Sequence, residues 1–79
     1  MLDERVVLAG DSLLELTLVG DRVYCLRFGK GGRTLVEYRG DGRRHRRRVR
    51  GRDAPYEFRS VEQLRYDFER DAEDAERQD

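Results

Sequence analysis

Apolar and polar side chains alternate along residues 5–50, and glycine or aspartate interrupts the alternation at regular intervals. A period of two is typical of strands with one buried face, and the interruptions are typical of tight turns. The pattern predicts an antiparallel meander of four to five strands. The expected strands are Val6–Ala9, Leu13–Val19, Val23–Phe28, Thr34–Arg39 and Arg44–Arg50, with turns at 10–12, 20–22, 29–32 and 41–42.

Turn lengths predict how these strands pair. The loop at 20–22 and the Asp41-Gly42 hairpin signal each fix the register of the strands they join. One face of the sheet then becomes apolar, from Val6 in the first strand to Val49 in the last. The predicted cross-strand pairs include Leu8–Leu14, Leu16–Leu26, Glu15–Arg27, Leu26–Val36, Tyr38–His45 and Glu37–Arg46.

A helix is expected to cover that apolar face. Residues 61–75 carry apolar side chains at spacings of three and four, and Ser60 with Gln63 forms a capping-box pattern before them. The fold class is therefore α+β, with one C-terminal helix packed across one face of the meander. We expect a single domain, residues 1–79, with strands in about 5–50, a loop at 51–59, a helix at about 60–75 and a frayed tail. The expected helix stripe is Val61, Leu64, Phe68, Ala72 and Ala75.

The totals limit the function classes. A chain of 79 residues buries a small core, so a homodimer or a permanent partner would add stability. The single Cys25 cannot form an internal disulfide, and one histidine with one cysteine gives no zinc-ligand spacing. No apolar run has the length of a membrane span or a signal-peptide core. We therefore expect a cytoplasmic protein without metal or cofactor.

Seven of the sixteen arginines lie in residues 43–52, although 17 basic and 17 acidic residues make the chain neutral overall. Alternation turns Arg44, Arg46, Arg48 and Arg50 to one face, with successive side chains about 6.6 Å apart. Such a row suits the phosphates of an RNA backbone. Two other interpretations stay open, namely charge that protects an edge strand from aggregation and arginine-rich codon usage.

His45 is the candidate for catalysis. It lies between Arg44 and Arg46, whose positive charge favours a neutral imidazole that can act as a general base. With arginines to stabilise a phosphorane, this would give a ribonuclease-type activity. The alternative is an ordinary histidine packed against Tyr38. Tyr56 and Tyr66 are candidates for partner contacts, whereas Cys25 is expected to be structural.

Two segments resemble the C-terminal half of the TumE-type proteins, which are small toxin components of prokaryotic toxin–antitoxin loci. One is Leu35–Arg39 with the glycine-containing turn and the His-bearing strand that follow. The other is the string P-Y-x-F-x-S-x-E-Q-L-x-x-D-F, which begins at Pro55. The likeness covers about residues 33–72, and the family is typically His-rich where this chain is Arg-rich.

The resemblance implies a toxin role and an antitoxin protein as partner. Together with the arginine row, it predicts a toxin-like component that engages RNA. The alternative is a non-enzymatic interaction module whose basic strand docks an acidic segment of another protein or the acidic helix of a second copy.

Overall fold

The computed structural model describes residues 2–8, 11–20 and 22–78, with side chains from 11–20 and 22–77. These residues form one antiparallel sheet whose strand order follows the chain, and one C-terminal helix, so the predicted α+β class is confirmed. Ala9, the predicted end of the first strand, and the predicted turn residues Gly10 and Asp21 lie outside the described residues. The elements are β1 Leu2–Leu8, β2 Ser12–Leu18, β3 Val23–Lys30, β4 Arg33–Asp41, β5 His45–Val49, β6 Arg52–Pro55 and α1 Val61–Gln78.

The short strand β6 lies in the segment that the sequence predicts to be a loop. It pairs with β5, so the arginine-rich strand is an inner strand and β6 forms the edge of the sheet. Pro55 ends β6, and a proline on an edge strand discourages pairing with another chain. The idea that arginines protect an exposed edge therefore does not apply to β5 itself.

The core lies between α1 and the central strands β3 and β4, which the helix contacts most. Alternation places inward residues of these strands beneath the helix stripe, and it fails only at Leu35. That residue is the extra one in a β-bulge where the β3–β4 register shifts, so both Leu35 and Val36 are buried. Among the residues whose side chains are described, the buried apolar ones are Leu16, Tyr24, Leu26, Phe28, Leu35, Val36, Tyr38, Leu64, Phe68, Ala72 and Ala75.

Strand register agrees with the sequence prediction only at the β2–β3 hairpin, where Leu16 lies opposite Leu26 and Glu15 opposite Arg27. The other three predicted registers are wrong by a slip of two residues. The observed pairs include Val6–Leu14 and Leu8–Ser12 in the first hairpin, Leu26–Tyr38 and Phe28–Val36 in the third, and Tyr38–Arg47, Gly40–His45 and Glu37–Arg48 in the fourth.

The fourth hairpin shows the cause of one slip. Asp41 does not sit in a two-residue turn with Gly42, because its carboxylate accepts hydrogen bonds from the backbone N–H groups of Arg43 (3.0 Å) and Arg44 (2.8 Å). Its own N–H donates to the carbonyl of Arg44 at 3.1 Å. The loop is therefore longer than predicted, and it closes between Gly40 and His45.

The helix begins as predicted and ends later than predicted. The Ser60 hydroxyl accepts the N–H of Gln63 at 3.1 Å, which confirms the N-cap, but the Gln63 amide donates to Asp67 at 2.9 Å. The helix continues to Gln78, so most of the tail that was expected to fray is helical. No helix within the described residues is long and apolar enough to cross a membrane.

Candidate nucleic-acid interface

The sheet face opposite α1 is open and carries two rows of side chains that run across the strands. The first row alternates in charge and is internally compensated. Arg27 donates to Glu15 at 3.2 Å, and Arg48 makes two hydrogen bonds with Asp53 at 2.9 and 3.0 Å. Its cross-strand order is Glu15, Arg27, Glu37, Arg48 and Asp53.

The second row contains no ion pair among the described residues, although the charge of Arg46 contributes to the lowered pKa of Asp53 in the first row. Cys25, Arg39 and Arg46 follow one another across β3, β4 and β5 in the observed register. Directly opposite side chains on an antiparallel pair have Cβ atoms about 5 Å apart, and like charges there are destabilising. Within the described part of the chain, no carboxylate lies at ion-pair distance from Arg39 or Arg46. The row therefore presents two adjacent guanidinium groups to solvent.

A third arginine joins them at the β4–β5 turn. Arg39, Arg44 and Arg46, here called the arginine cluster, line one shallow depression of about 470 Å³ with Val23, Tyr24, Cys25, Gly40 and Asp41. The Asp41 carboxylate is the acidic group in this lining, and backbone N–H groups of Arg44 and Arg43 lower its pKa. Asp41 therefore stays ionised, but the three guanidinium groups outnumber this carboxylate, so the depression keeps an excess of positive charge.

The other two arginines of the predicted row lie elsewhere. Arg48 is on the open face, but its guanidinium is bound to Asp53, which raises the pKa of Arg48 and lowers the pKa of Asp53. Arg50 follows β5 in a turn with φ of 52° and donates to the carbonyl of Ala75 at 3.2 Å. It therefore points to the helix side of the sheet and interacts with the last turn of α1.

His45 lies on the helix side, in an aromatic stack with Tyr24 and Phe58. The ring centroids are 5.6 Å from Tyr24 and 5.2 Å from Phe58, with interplanar angles of 21° and 16°. Its Nδ1 is 2.9 Å from the Tyr24 hydroxyl, and its Nε2 is buried without a hydrogen-bond partner among the described residues. In this conformation neither ring nitrogen is presented to the open face that holds the arginine cluster.

The tyrosines and Arg47 form a polar network against one face of the helix. The Tyr56 hydroxyl donates to Asp67 at 2.7 Å, and the Tyr38 hydroxyl donates to Asp71. Arg47 lies 3.6 Å from Asp71, which supplies the carboxylate partner that an inward-facing guanidinium needs. Burial first, and these hydrogen bonds second, raise the pKa values of Tyr56 and Tyr38.

The two tyrosines predicted to contact a partner therefore differ in exposure. Tyr56 is half-buried within this network and packs edge-on against Tyr38 at a centroid distance of 4.9 Å. Tyr66 is 61% exposed, and the guanidinium of Arg70 lies 5.9 Å from the centre of its ring. Of these two tyrosines, Tyr66 is the one exposed enough for a partner contact.

The sequence prediction missed Arg39 as a member of the site. The predicted register placed Glu37 opposite Arg46, whereas the observed register places Arg39 there. No protein-family model, curated protein or solved structure matches this chain.

Proposed function

We propose that this protein binds RNA phosphates through the arginine cluster and acts as a toxin-like component in the cytoplasm, held by an antitoxin protein. The observation that carries the proposal is the convergence of Arg39, Arg44 and Arg46 on one depression of the open sheet face. Guanidinium groups bind phosphate oxygens in pairs of parallel hydrogen bonds, and three of them around one depression suit a phosphodiester.

The electrostatic repulsion within the arginine cluster supports a role in binding an anion. Arg39 and Arg46 repel each other across a strand pair, while the neighbouring row shows that this chain neutralises arginines where it has carboxylates opposite them. A bound phosphate would remove that repulsion. Because a ligand that binds the folded state stabilises it, RNA or inorganic sulfate should raise the stability of the protein.

The toxin part of the proposal rests on the resemblance of residues 33–72 to TumE-type proteins. The residues of the resemblance string make contacts on the helix side of the sheet, and the string does not include the arginines of the cluster. Tyr56 binds Asp67, Phe58 stacks on His45, and Ser60 caps α1. The proposal thus joins a shared framework to a phosphate-binding surface that is particular to this chain.

The test is the salt dependence of binding to a single-stranded RNA by Arg39→Gln, Arg44→Gln and Arg46→Gln variants. Each lost phosphate contact should weaken binding and reduce the slope of log K against log salt by about 0.7. Arg33→Gln is the matched control, because Arg33 is equally exposed and has no ion pair among the described residues, and it lies in the β3–β4 hairpin. Fluorescence anisotropy at several salt concentrations measures both quantities.

Stability gives the same test a second readout. Removing one member of the Arg39–Arg46 pair should leave the free energy of unfolding unchanged or higher by a few tenths of a kcal/mol, since like charges opposite each other are destabilising. A drop in RNA affinity together with unchanged or higher stability identifies a binding cluster. Equal losses of affinity in Arg33→Gln and in the cluster variants would refute the proposal.

Cleavage of RNA by His45 stays a separate prediction. Both of its ring nitrogens face the interior, so the imidazole would have to leave the Tyr24–Phe58 stack before it could take a proton from a 2′-hydroxyl. Induced expression of the protein and of a folded His45→Ala variant, scored for growth arrest and RNA integrity, tests it. Intact toxicity in that variant would exclude His45 as the base.

The interaction-module alternative is tested with the same variants. An acidic peptide would bind the same arginines as RNA, so poly-glutamate serves as the competing probe. Displacement of RNA only at a large excess of poly-glutamate favours the phosphate site. Tight binding of the acidic probe with no measurable RNA binding would favour the alternative.

A further inference from the structure

A shallow groove lies on the helix side of the sheet, away from the arginine cluster. It runs between the outer edge of α1 and strand β2, because the helix is centred over β3 and β4. Its floor consists of Leu14, Phe28 and Ala72, and its volume is about 190 Å³. Leu14 is only partly buried, and Leu18 continues the same apolar line along β2.

The wall of the groove on the helix side is acidic. Glu69, Glu73 and Glu76 line it at spacings that follow one edge of the helix. Among the described residues, the basic groups at ion-pair distance from these glutamates are Arg65, 3.9 Å from Glu69, and Arg77, 3.9 Å from Glu73, and both pairs are exposed. Exposed pairs at this distance are weak and can exchange partners, and three glutamates against two arginines leave this wall with a net negative charge.

We propose that this groove docks an amphipathic segment of another protein, with apolar side chains that cover Leu14 and flanking lysines or arginines that meet the three glutamates. An apolar floor with a single-signed rim selects such a segment by shape and charge together. The surface is independent of the phosphate site, since the two lie on opposite faces of the sheet.

The charge pattern disfavours a second copy as the occupant. In a two-fold dimer the same patch meets itself, so the glutamates of one protomer would face those of the other. A head-to-tail contact with the arginine cluster of a second copy would meet the glutamates, but Val23 is the one exposed large apolar side chain of that depression and would leave most of the groove floor uncovered. A separate basic amphipathic chain avoids both problems.

The experiment uses the full chain and a fluorescent Leu/Lys amphipathic peptide of about 18 residues, five turns of helix. The matched probe has the same leucines with every lysine replaced by glutamate. The groove variant is Glu69→Gln/Glu73→Gln/Glu76→Gln, and its charge-matched control is Glu57→Gln/Glu62→Gln/Asp74→Asn, at exposed acids that do not line the groove. Anisotropy gives the affinities, and amide chemical shifts locate the bound peptide.

Binding of the Leu/Lys peptide that falls about tenfold in the groove variant, changes little in the control and shifts the amides of residues 14, 28 and 69–76 supports the proposal. The proposal is overturned if the Leu/Lys peptide does not bind, or if its affinity falls equally in both triple variants. It is also overturned if the Leu/Glu peptide binds with equal affinity. Self-association of the free protein that the groove variant abolishes also overturns it, because the occupant is then a second copy. RNA affinity should not fall in the groove variant, which separates this test from that of the phosphate site.

Discussion

Gly40 lies in β4 between two aromatic rings of the neighbouring strands. In the observed register it is opposite Tyr24 on one side and His45 on the other. The absence of a side chain lets both rings close over the strand, so that the Tyr24 hydroxyl reaches Nδ1 of His45 at 2.9 Å. A β-carbon at this position would lie 2.7 Å from that nitrogen and would contact the Tyr24 ring as well. The glycine is therefore required by packing rather than by backbone conformation.

Gly40→Ala should destabilise the protein by about 1–3 kcal/mol, because the added methyl group must displace the Tyr24–His45 pair. Gly20→Ala is the matched control, since nothing lies within 4 Å of a β-carbon there and its φ is not left-handed. The control should be neutral or slightly stabilising. Urea denaturation of both variants measures the difference, and similar unfolding free energies for the two would show that the stack tolerates the methyl group.

At the scale of the element, the hairpins show which part of the fold alternation can predict. A slip of two residues returns every side chain to the same face, so the hydrophobic pattern is satisfied equally well by either register. The face that each strand residue occupies, the helix and its apolar stripe could therefore be predicted. Register depends instead on how each turn closes, and in β4–β5 the Asp41 side chain lengthens the turn through two backbone hydrogen bonds.

The same slip changes the electrostatics of the site. With Glu37 opposite Arg46, the predicted row would be partly neutralised at that point and would continue to Arg50. In the observed register Arg39 faces Arg46, while Glu37 and Asp53 flank Arg48. The arginine site was thus predictable as a region of the chain but not as a set of residues. Leu35 was also beyond prediction, because a bulge breaks the alternation there.

In the β5–β6 hairpin, two hydrogen bonds to Asp53 occupy the guanidinium of Arg48. Asp53→Asn should free Arg48 to extend the cationic surface from Arg46, so RNA affinity should rise about two- to threefold and the salt slope should steepen by about 0.7. Asp74→Asn makes the same change of charge on the helix. Any rise in RNA affinity from this change of net charge should be small, and the salt slope should stay the same. Anisotropy titrations decide, and an identical rise in both variants would mean that Arg48 makes no local contact.

In the molecule as a whole, the two faces of the sheet carry different groups of side chains. The open side carries the charged rows and the arginine cluster. The helix side carries the core and a set of hydroxyl groups that tie strands to helix, Tyr38 to Asp71 and Tyr56 to Asp67. Since a neutral tyrosine donates these hydrogen bonds, their strength depends on the tyrosines staying protonated. Stability at high pH therefore reports on the helix side, independently of the phosphate surface.

Burial raises the pKa of Tyr24 from 10.0 to about 12, and it raises the pKa values of Tyr38 and Tyr56 in the same direction. Because these pKa values are higher in the folded state, the neutral tyrosines contribute fully to the free energy of unfolding below about pH 10. That contribution is lost as the pH rises toward 12. Urea denaturation across that window should show a loss of about 2 kcal/mol or more, since one pKa unit corresponds to about 1.4 kcal/mol. Tyr24→Phe should flatten the decline, and Tyr66→Phe, at an exposed tyrosine, should not. An unfolding free energy that stays constant through the window in the unmodified protein would mean that these hydroxyl groups ionise as freely when folded as when unfolded.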